Sequence, residues 1–233
     1  MNENKSQSPS VARWLVREIM GVIMVGVILF WSAGRLDWWM GWGVTAVYAL
    51  WVAANAILII PRSPELLVER ASRNLKGVKS WDNVLLGIIG VLTIAKYVVA
   101  GLDVRYGWSA PLIASLQITA LILAAWGYAL VTWSMVANAF FSTVVRIQED
   151  RGQRVCTTGP YRFVRHPGYV GSIIFELAVP IALGSWWAFI AGLLIAILTV
   201  VRTAMEDKTL QKELDGYQAY AQNVHYRLIP GVW

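Results

Sequence analysis

The segment Gly159-Pro160-Tyr161-Arg162-Phe163-Val164-Arg165-His166-Pro167-Gly168-Tyr169 sets polar and aromatic groups at the mouth of a long apolar stretch. Charged and hydrogen-bonding groups at such a boundary are costly unless they bind something. Pro167 lacks an N–H and suits the first position of a helix, which puts His166 at the cap and leaves the first-turn backbone open at Gly168. A helix start of this kind binds anions. His166, Tyr169, Ile173 and Glu176 then follow along one face of that helix. Downstream, Arg202 and Glu206 fall one turn apart on a second helix, with Asp207 next in line. A basic start and an acidic end facing one pocket suit a ligand that carries both a carboxylate and a cation. An apolar second ligand would reach the same pocket from lipid.

The elements that position these groups are membrane spans. The 233 residues are 57% hydrophobic and 15% charged with 13 Trp, and the mean hydropathy is +0.53, the profile of an all-α polytopic helical bundle. One cysteine, Cys156, excludes an internal disulfide and a thiolate-rich metal site, and two histidines do not make an imidazole cage, so no metal is expected. The net charge of +6 does not point to nucleic acid, because the basic residues flank apolar runs instead of forming a stripe on a soluble domain. No Gly-x-Gly-x-x-Gly follows a strand, which excludes a soluble Rossmann-type cofactor domain.

Four apolar runs read as spans, roughly Leu15 to Ala33, Trp38 to Ile60, Val84 to Gly101 and Leu112 to Val136. A fifth, about Tyr169 to Val201, is too long for one untilted helix. It contains Pro180 and then Leu183-Gly184-Ser185-Trp186-Trp187, which predicts a turn between two short helices. The expectation is about four spans plus a C-terminal helical hairpin and a tail, in one domain covering 1–233, with N-terminal spans in 1–139 and a binding portion in 140–233. With the N-terminus in the cytoplasm, the inner segments hold Lys5, Arg13 and Arg17, then Arg62, Arg70, Arg73, Lys76 and Lys79. They continue with Arg146, Arg151, Arg154, Arg162 and Arg165, then Arg202, Lys208, Lys212 and Arg227. Outer loops keep Arg35 and Arg105, and Trp31, Trp38, Trp39, Trp108, Trp186 and Trp187 fall at the same outer interface. That asymmetry places both termini in the cytoplasm, with a bacterial cytoplasmic membrane as the expected location. The basic start, apolar run and Ser32-Ala33-Gly34 resemble a secretory signal, but cleavage there would upset the asymmetry.

Plainer readings compete at several positions. Arg-His-Pro at an interface also binds lipid phosphates, and Arg202 with Glu206 also reads as an ordinary helical ion pair. Glu176, a carboxylate inside the membrane, is a functional candidate, though a neutral hydrogen-bonded role accounts for it equally well. Lys96 is expected to snorkel or to pair within the bundle, and His225 to lie on the surface.

The run Arg154-Val155-Cys156-Thr157-Thr158-Gly159-Pro160-Tyr161, then Arg165-His166-Pro167-Gly168-Tyr169-Val170-Gly171, then Arg202 with Glu206-Asp207, and finally Tyr217, Tyr220, Tyr226 and Pro230, resembles the isoprenylcysteine carboxyl methyltransferase family of membrane methyltransferases. The likeness covers Phe140 to Trp233, and phospholipid N-methyltransferases share much of it. It implies an S-adenosylmethionine-dependent methyltransferase. Arg146, Gln153, Arg154, Val155 and Cys156 would line the cofactor and Tyr161 would pack on it. His166, Pro167, Gly168 and Tyr169 would hold its methionine end, and Glu206 would bind it from the other helix. Arg202 matches the position that orients a substrate carboxylate. Gln153 stands where His is frequent, and Asp207 replaces the second Glu of the usual pair in a role expected to be secondary.

The partners implied are the bilayer and a lipophilic or lipidated acceptor, with the oligomeric state open. Transfer to a carboxylate, or to another group already nucleophilic, needs alignment and exclusion of water but no general base. Aromatic faces such as Tyr161 and Tyr169 attract a sulfonium by about 0.5 to 2 kcal/mol. Two other classes remain open. NADPH-dependent membrane sterol or enone reductases look similar around Arg-His-Pro-x-Tyr-x-Gly, but favour Asn before that Tyr and an acidic residue after the Gly, where this chain has Gly168 and Ser172. The other is a non-catalytic lipid-binding membrane protein.

Overall fold

In the computed structural model the chain folds as helices, with no strand among the described residues. The structure describes residues 3–72 and 75–233, with side chains from residue 11 onward; Arg73 and the side chain of Lys5 lie outside the described residues. The helices run α1 Glu3–Ala33, α2 Trp39–Ile59, α3 Pro64–Ala71, α4 Ser80–Tyr106, α5 Ala114–Ala137, α6 Pro167–Ala182, α7 Trp186–Glu213 and α8 Tyr217–Asn223. Five of them are long and apolar enough to cross a membrane: α1 over Val11–Ala33, α2, α4, α5 and α7. Large apolar side chains such as Leu50, Ile57, Val91 and Ile122 stand exposed on their outer faces, as lipid-facing surfaces require.

The expected hairpin forms, but its helices are unequal. α6 has 16 residues and α7 has 28, so α7 is about 42 Å long at 1.5 Å per residue and carries Arg202, Glu206 and Asp207 on its last turns. Pro180 does not break the chain. It sits inside α6, where it removes the donor that would have met the Glu176 carbonyl, and α7 packs against that same place. A Cβ on Gly192 of α7 would lie 2.4 Å from the Glu176 carbonyl oxygen and 3.1 Å from the Pro180 ring. The turn itself comes at Gly184, whose φ of +79° suits glycine. Ser185 caps α7 by accepting from the Ala188 N–H at 3.0 Å.

Two helices the sequence reading passed over, α3 and α8, lie at the end of the bundle opposite the hairpin turn. Ser63-Pro64-Glu65 before a short amphipathic run signals the start of α3. At the far end, Asp103 accepts from the Ser109 N–H and Oγ at 2.7 and 2.6 Å and from Ser185 Oγ, and the Trp186 N–H donates to Ser109 Oγ at 2.9 Å. The hairpin tip is thereby tied to the end of α4. Arg35 and Arg105 belong to this end, whereas Lys79, Arg146, Arg165 and Arg227 gather at the other.

α5 and α6 approach each other closely, backbone against backbone. A Cβ on Gly127 would fall 2.6 Å from the Gly171 carbonyl oxygen, and one on Gly171 would fall 2.4 Å from the Gly127 carbonyl oxygen. Backbones approach this closely only through small residues. Gly127→Ala is expected to cost about 1–3 kcal/mol because the obstacle is backbone and cannot move aside. Gly87→Ala on α4, where a Cβ meets nothing within 4 Å, should leave stability equal or slightly higher. Thermal unfolding in detergent distinguishes the two; equal midpoints would refute the close-approach reading.

Candidate functional site

α6 and α7, the 138–166 connection and α8 surround a cavity of about 410 Å³. Its lining includes Arg146, Gln153, Arg154, Val155, Cys156, Tyr161, His166, Gly168, Tyr169, Arg202 and Glu206, so residues spread over sixty positions of sequence converge on one space. Of the residues expected to contact a cofactor, Pro167 alone stays out of the lining. It is buried at the first turn of α6, where its role is to start the helix.

The two helix ends meet at this cavity. Tyr169 on α6 donates its phenol O–H to the Glu206 carboxylate on α7, and the His166 ring stacks on Tyr169 with centroids 5.8 Å apart. Arg202 lies over the Tyr169 ring, its guanidinium carbon 5.3 Å from the centroid. Tyr161 is buried at the opposite wall, its hydroxyl accepting from Asn138 Nδ2 at 3.3 Å. Burial pushes the Tyr161 phenol well above its ordinary range, which keeps it neutral.

Arg202 does not pair with Glu206 as an ordinary helical ion pair. Its Nε and Nη2 donate to the carboxylate of Asp82 at 2.6 and 3.0 Å, and Nη2 also donates to the Thr143 carbonyl at 2.8 Å. Asp82, in the first turn of α4 and fully buried, accepts from the Val145 N–H at 2.7 Å as well. One carboxylate thus pins α4, α7 and the connecting loop. The sequence reading weighed basic residues and passed over Asp82, although a lone acid at the start of an apolar span was the signal for it.

A second clamp holds the loop from below. Arg146 donates to Glu69 of α3 at 2.8 and 3.0 Å and to Asp150 at 2.7 and 3.2 Å. Hydrogen bonds to these two carboxylates raise the guanidinium above its ordinary range. The Gln148 N–H donates to Gln153 Oε1 at 2.7 Å, closing the 148–153 turn. Cys156 points its thiol at the Ala137 carbonyl, 3.2 Å away.

The role expected for Asp207 was too small. It is fully buried and accepts from Arg165 at 2.7 and 3.1 Å, from Arg227 Nε at 2.8 Å, from Gln211 Nε2 at 2.7 Å and from the Tyr217 hydroxyl at 3.0 Å. His166 Nε2 lies 3.3 Å from it. Arg165 also donates to the Val224 and His225 carbonyls at 2.9 and 2.8 Å, and the Arg165 and His166 N–H groups each donate at 2.9 Å to the tail at Tyr226 and Arg227. A longer Glu would not fit this ring of donors without displacing the tail. Burial, reinforced by the Asp207 charge, raises the Tyr217 phenol, which keeps it the donor of that bond. Lys96 pairs with Glu176 inside the bundle, as one of its two expected readings had it, and His225 is exposed.

Asp207→Asn removes the charge that compensates two guanidinium groups. It should destabilise the fold by about 3–5 kcal/mol and release the tail, read as faster hydrogen exchange over residues 224–233. Unchanged exchange there would mean that Asp207 does not hold the tail.

Residues 116–215, which run from the first turn of α5 through α6 and α7, match the phospholipid methyltransferase family. The chain is 28% identical over 93 residues to a protein named probable protein-S-isoprenylcysteine O-methyltransferase from Oryza sativa subsp. indica, covering 39% of this chain and 49% of that protein. It is 35% identical over 85 residues to the Delta(14)-sterol reductase of Mus musculus, covering 35% of this chain and 20% of that protein. It is 27% identical over 100 residues to the lamin-B receptor of Drosophila melanogaster, covering 41% and 14%. The chain spans about half the length, or less, of these curated relatives. The C-terminal part of the chain is thus similar to the phospholipid methyltransferase family and to a protein named as an isoprenylcysteine O-methyltransferase.

Proposed function

We propose that this chain transfers a methyl group from S-adenosylmethionine to a lipophilic acceptor at the cytoplasmic face of a membrane, with both termini on that side. The observation that carries the reading is the meeting of Tyr169 and Glu206 from two helices inside one cavity. The donor set suits the cofactor. Glu206 is a carboxylate hydrogen-bonded to a neutral phenol, which leaves its charge for a cationic amine. The backbone start at Gly168 with His166 suits a carboxylate, and the faces of Tyr169 and Tyr161 suit a sulfonium. The 153–156 stretch would flank the nucleoside. At about 410 Å³ the cavity falls in the range that small-molecule sites occupy.

Bound there, the cofactor supplies an electrophilic methyl group. The protein's share is positioning and the exclusion of water. The inner end of the cavity is apolar, formed by Trp51, Tyr128, Val131 and Phe175. Trp51 lies eight residues before the end of α2, about 12 Å inside it, a depth suited to a lipophilic acceptor. The Arg202 match implies a carboxylate acceptor. Such an acceptor would share a guanidinium already held bidentately by Asp82. A second reading, reduction of an enone by NADPH, draws on the partial likeness to the sterol reductase; Gly168 and Ser172 weigh against it.

Calorimetry on the purified protein in detergent should find S-adenosylmethionine binding and no NADPH binding. His166→Ala and Glu206→Gln should each weaken the first by about tenfold or more, as the loss of one charge-assisted hydrogen bond does. If neither variant changes affinity, the site is misassigned; binding of NADPH instead would select the reductase. Arg202→Lys, which keeps a cation opposite Asp82 but not its bidentate geometry, should retain cofactor binding and lose methyl transfer. Loss of both together would contradict a role confined to the acceptor.

A further inference from the structure

Lys96 and Glu176 form an ion pair inside the bundle that neither the fold nor the positioning of the cofactor uses. The Lys96 side chain is fully buried and the Glu176 side chain keeps 15% of its exposure, where it lines the inner end of the cavity. The rings of Tyr97 and Phe175 flank the Lys96 ammonium, with centroids at 4.7 and 5.6 Å. Glu176 stands seven residues beyond Tyr169 on α6, about 10 Å deeper in the bundle. It is the acidic side chain at the apolar end, beside the stacked Trp51, Tyr128 and Phe175 rings.

Stability is a poor reason for such a pair. Two charges taken out of water cost several kcal/mol each, and well-packed apolar residues of similar volume are often neutral or better. α4 and α6 also need no staple, since both already pack on α7. An ion pair kept at this expense, with the carboxylate open to the cavity and the ammonium sealed behind it, has the arrangement of a proton acceptor and its counter-charge.

We propose that Glu176, paired with Lys96, accepts the proton released by the acceptor during methyl transfer, and that the acceptor is therefore an amine or a hydroxyl group on an apolar molecule. The inference rests on the methyltransferase reading above. The lone pair of the acceptor's nitrogen or oxygen forms the new bond to the methyl carbon as the carbon–sulfur bond breaks, its electron pair remaining on sulfur. The proton of the nucleophile passes to a Glu176 carboxylate oxygen. A carboxylate acceptor has no proton to release and would face a second carboxylate at this end. The other titratable and charged groups facing this end are Lys96 and Tyr97 from α4, Tyr128 from α5, Tyr169 on α6 itself, and Arg202 and Glu206 from α7.

The test uses the full chain in detergent, labelled S-adenosylmethionine, and three probes of equal chain length: an alkylamine, an alkanol and an alkanoic acid. The protein should methylate the amine or the alkanol, the two arms separating nitrogen from oxygen acceptors. Glu176→Gln should bind the cofactor within about twofold of the parent and methylate about a hundredfold more slowly near neutral pH, with the rate on the amine probe recovering as pH rises and the amine loses its proton to solvent, and the rate on the alkanol staying low. Calorimetry should show the preferred probe bound about tenfold more weakly by this variant. Because Glu176→Gln leaves Lys96 buried and unpaired, the double variant Lys96→Met with Glu176→Leu supplies the control. It should fold, keep cofactor affinity and remain inactive. Transfer to the acid alone, transfer to none of the probes, or a Glu176→Gln rate and pH profile equal to the parent's overturns the proposal. Failure of the parent to bind S-adenosylmethionine is read separately and overturns the underlying reading.

Discussion

Asp207 gathers Arg165, Arg227, Tyr217, Gln211 and His166 around one buried carboxylate on α7. A charge in that position is tolerable only when several donors satisfy it, and two guanidinium groups left without it would be as costly. The consequence is geometric. The loop before α6, the end of α7, α8 and the C-terminal tail are held to a common centre. Because Arg165 and His166 immediately precede Pro167, the orientation of the α6 start is set by the same carboxylate.

Two further pairs extend this logic around the cavity. Asp82 with Arg202 joins α4 to α7, and Glu69 with Arg146 joins α3 to the connecting loop. Each joins a carboxylate on one element to a guanidinium on another, and both guanidinium groups line the cavity. Bidentate geometry in surroundings of low polarity makes these joints directional as well as strong. The result is a polar wall at the membrane boundary, while Trp51, Tyr128, Val131 and Phe175 make the floor apolar. One space thus joins a polar end and an apolar end.

Packing of the spans supplies the rest. Between helices that all face lipid, burial of apolar surface gives little preference for one arrangement, and close backbone approach does the sorting. Gly127 against Gly171 sets α5 on α6, and Gly192 against Pro180 sets α7 on α6. These contacts fix the height of Tyr169 relative to Glu206, since α6 carries the first and α7 the second.

Much of this was legible in the residues themselves. Apolar runs of membrane-spanning length required helices, because the backbone has no other partner in lipid. His166-Pro167 required a helix start there, and the three-and-four spacing put Tyr169 and Glu176 on its cavity face. Arg202 and Glu206 were bound to share a face of the returning helix. Sequence spacing is blind to partners drawn from distant segments. That Arg202 pairs with Asp82 across 120 positions, that Lys96 reaches Glu176, and that Asp207 is a centre and not an accessory are matters of which helix faces meet. Pro180 shows the same limit from the other side: its ring forbids one hydrogen bond, but whether the helix ends there depends on what packs against the vacated carbonyl, and here α7 does. Local chemistry determined the elements and the candidate groups; tertiary packing decided their partners, because a buried charge takes whichever counter-charge the fold brings within reach.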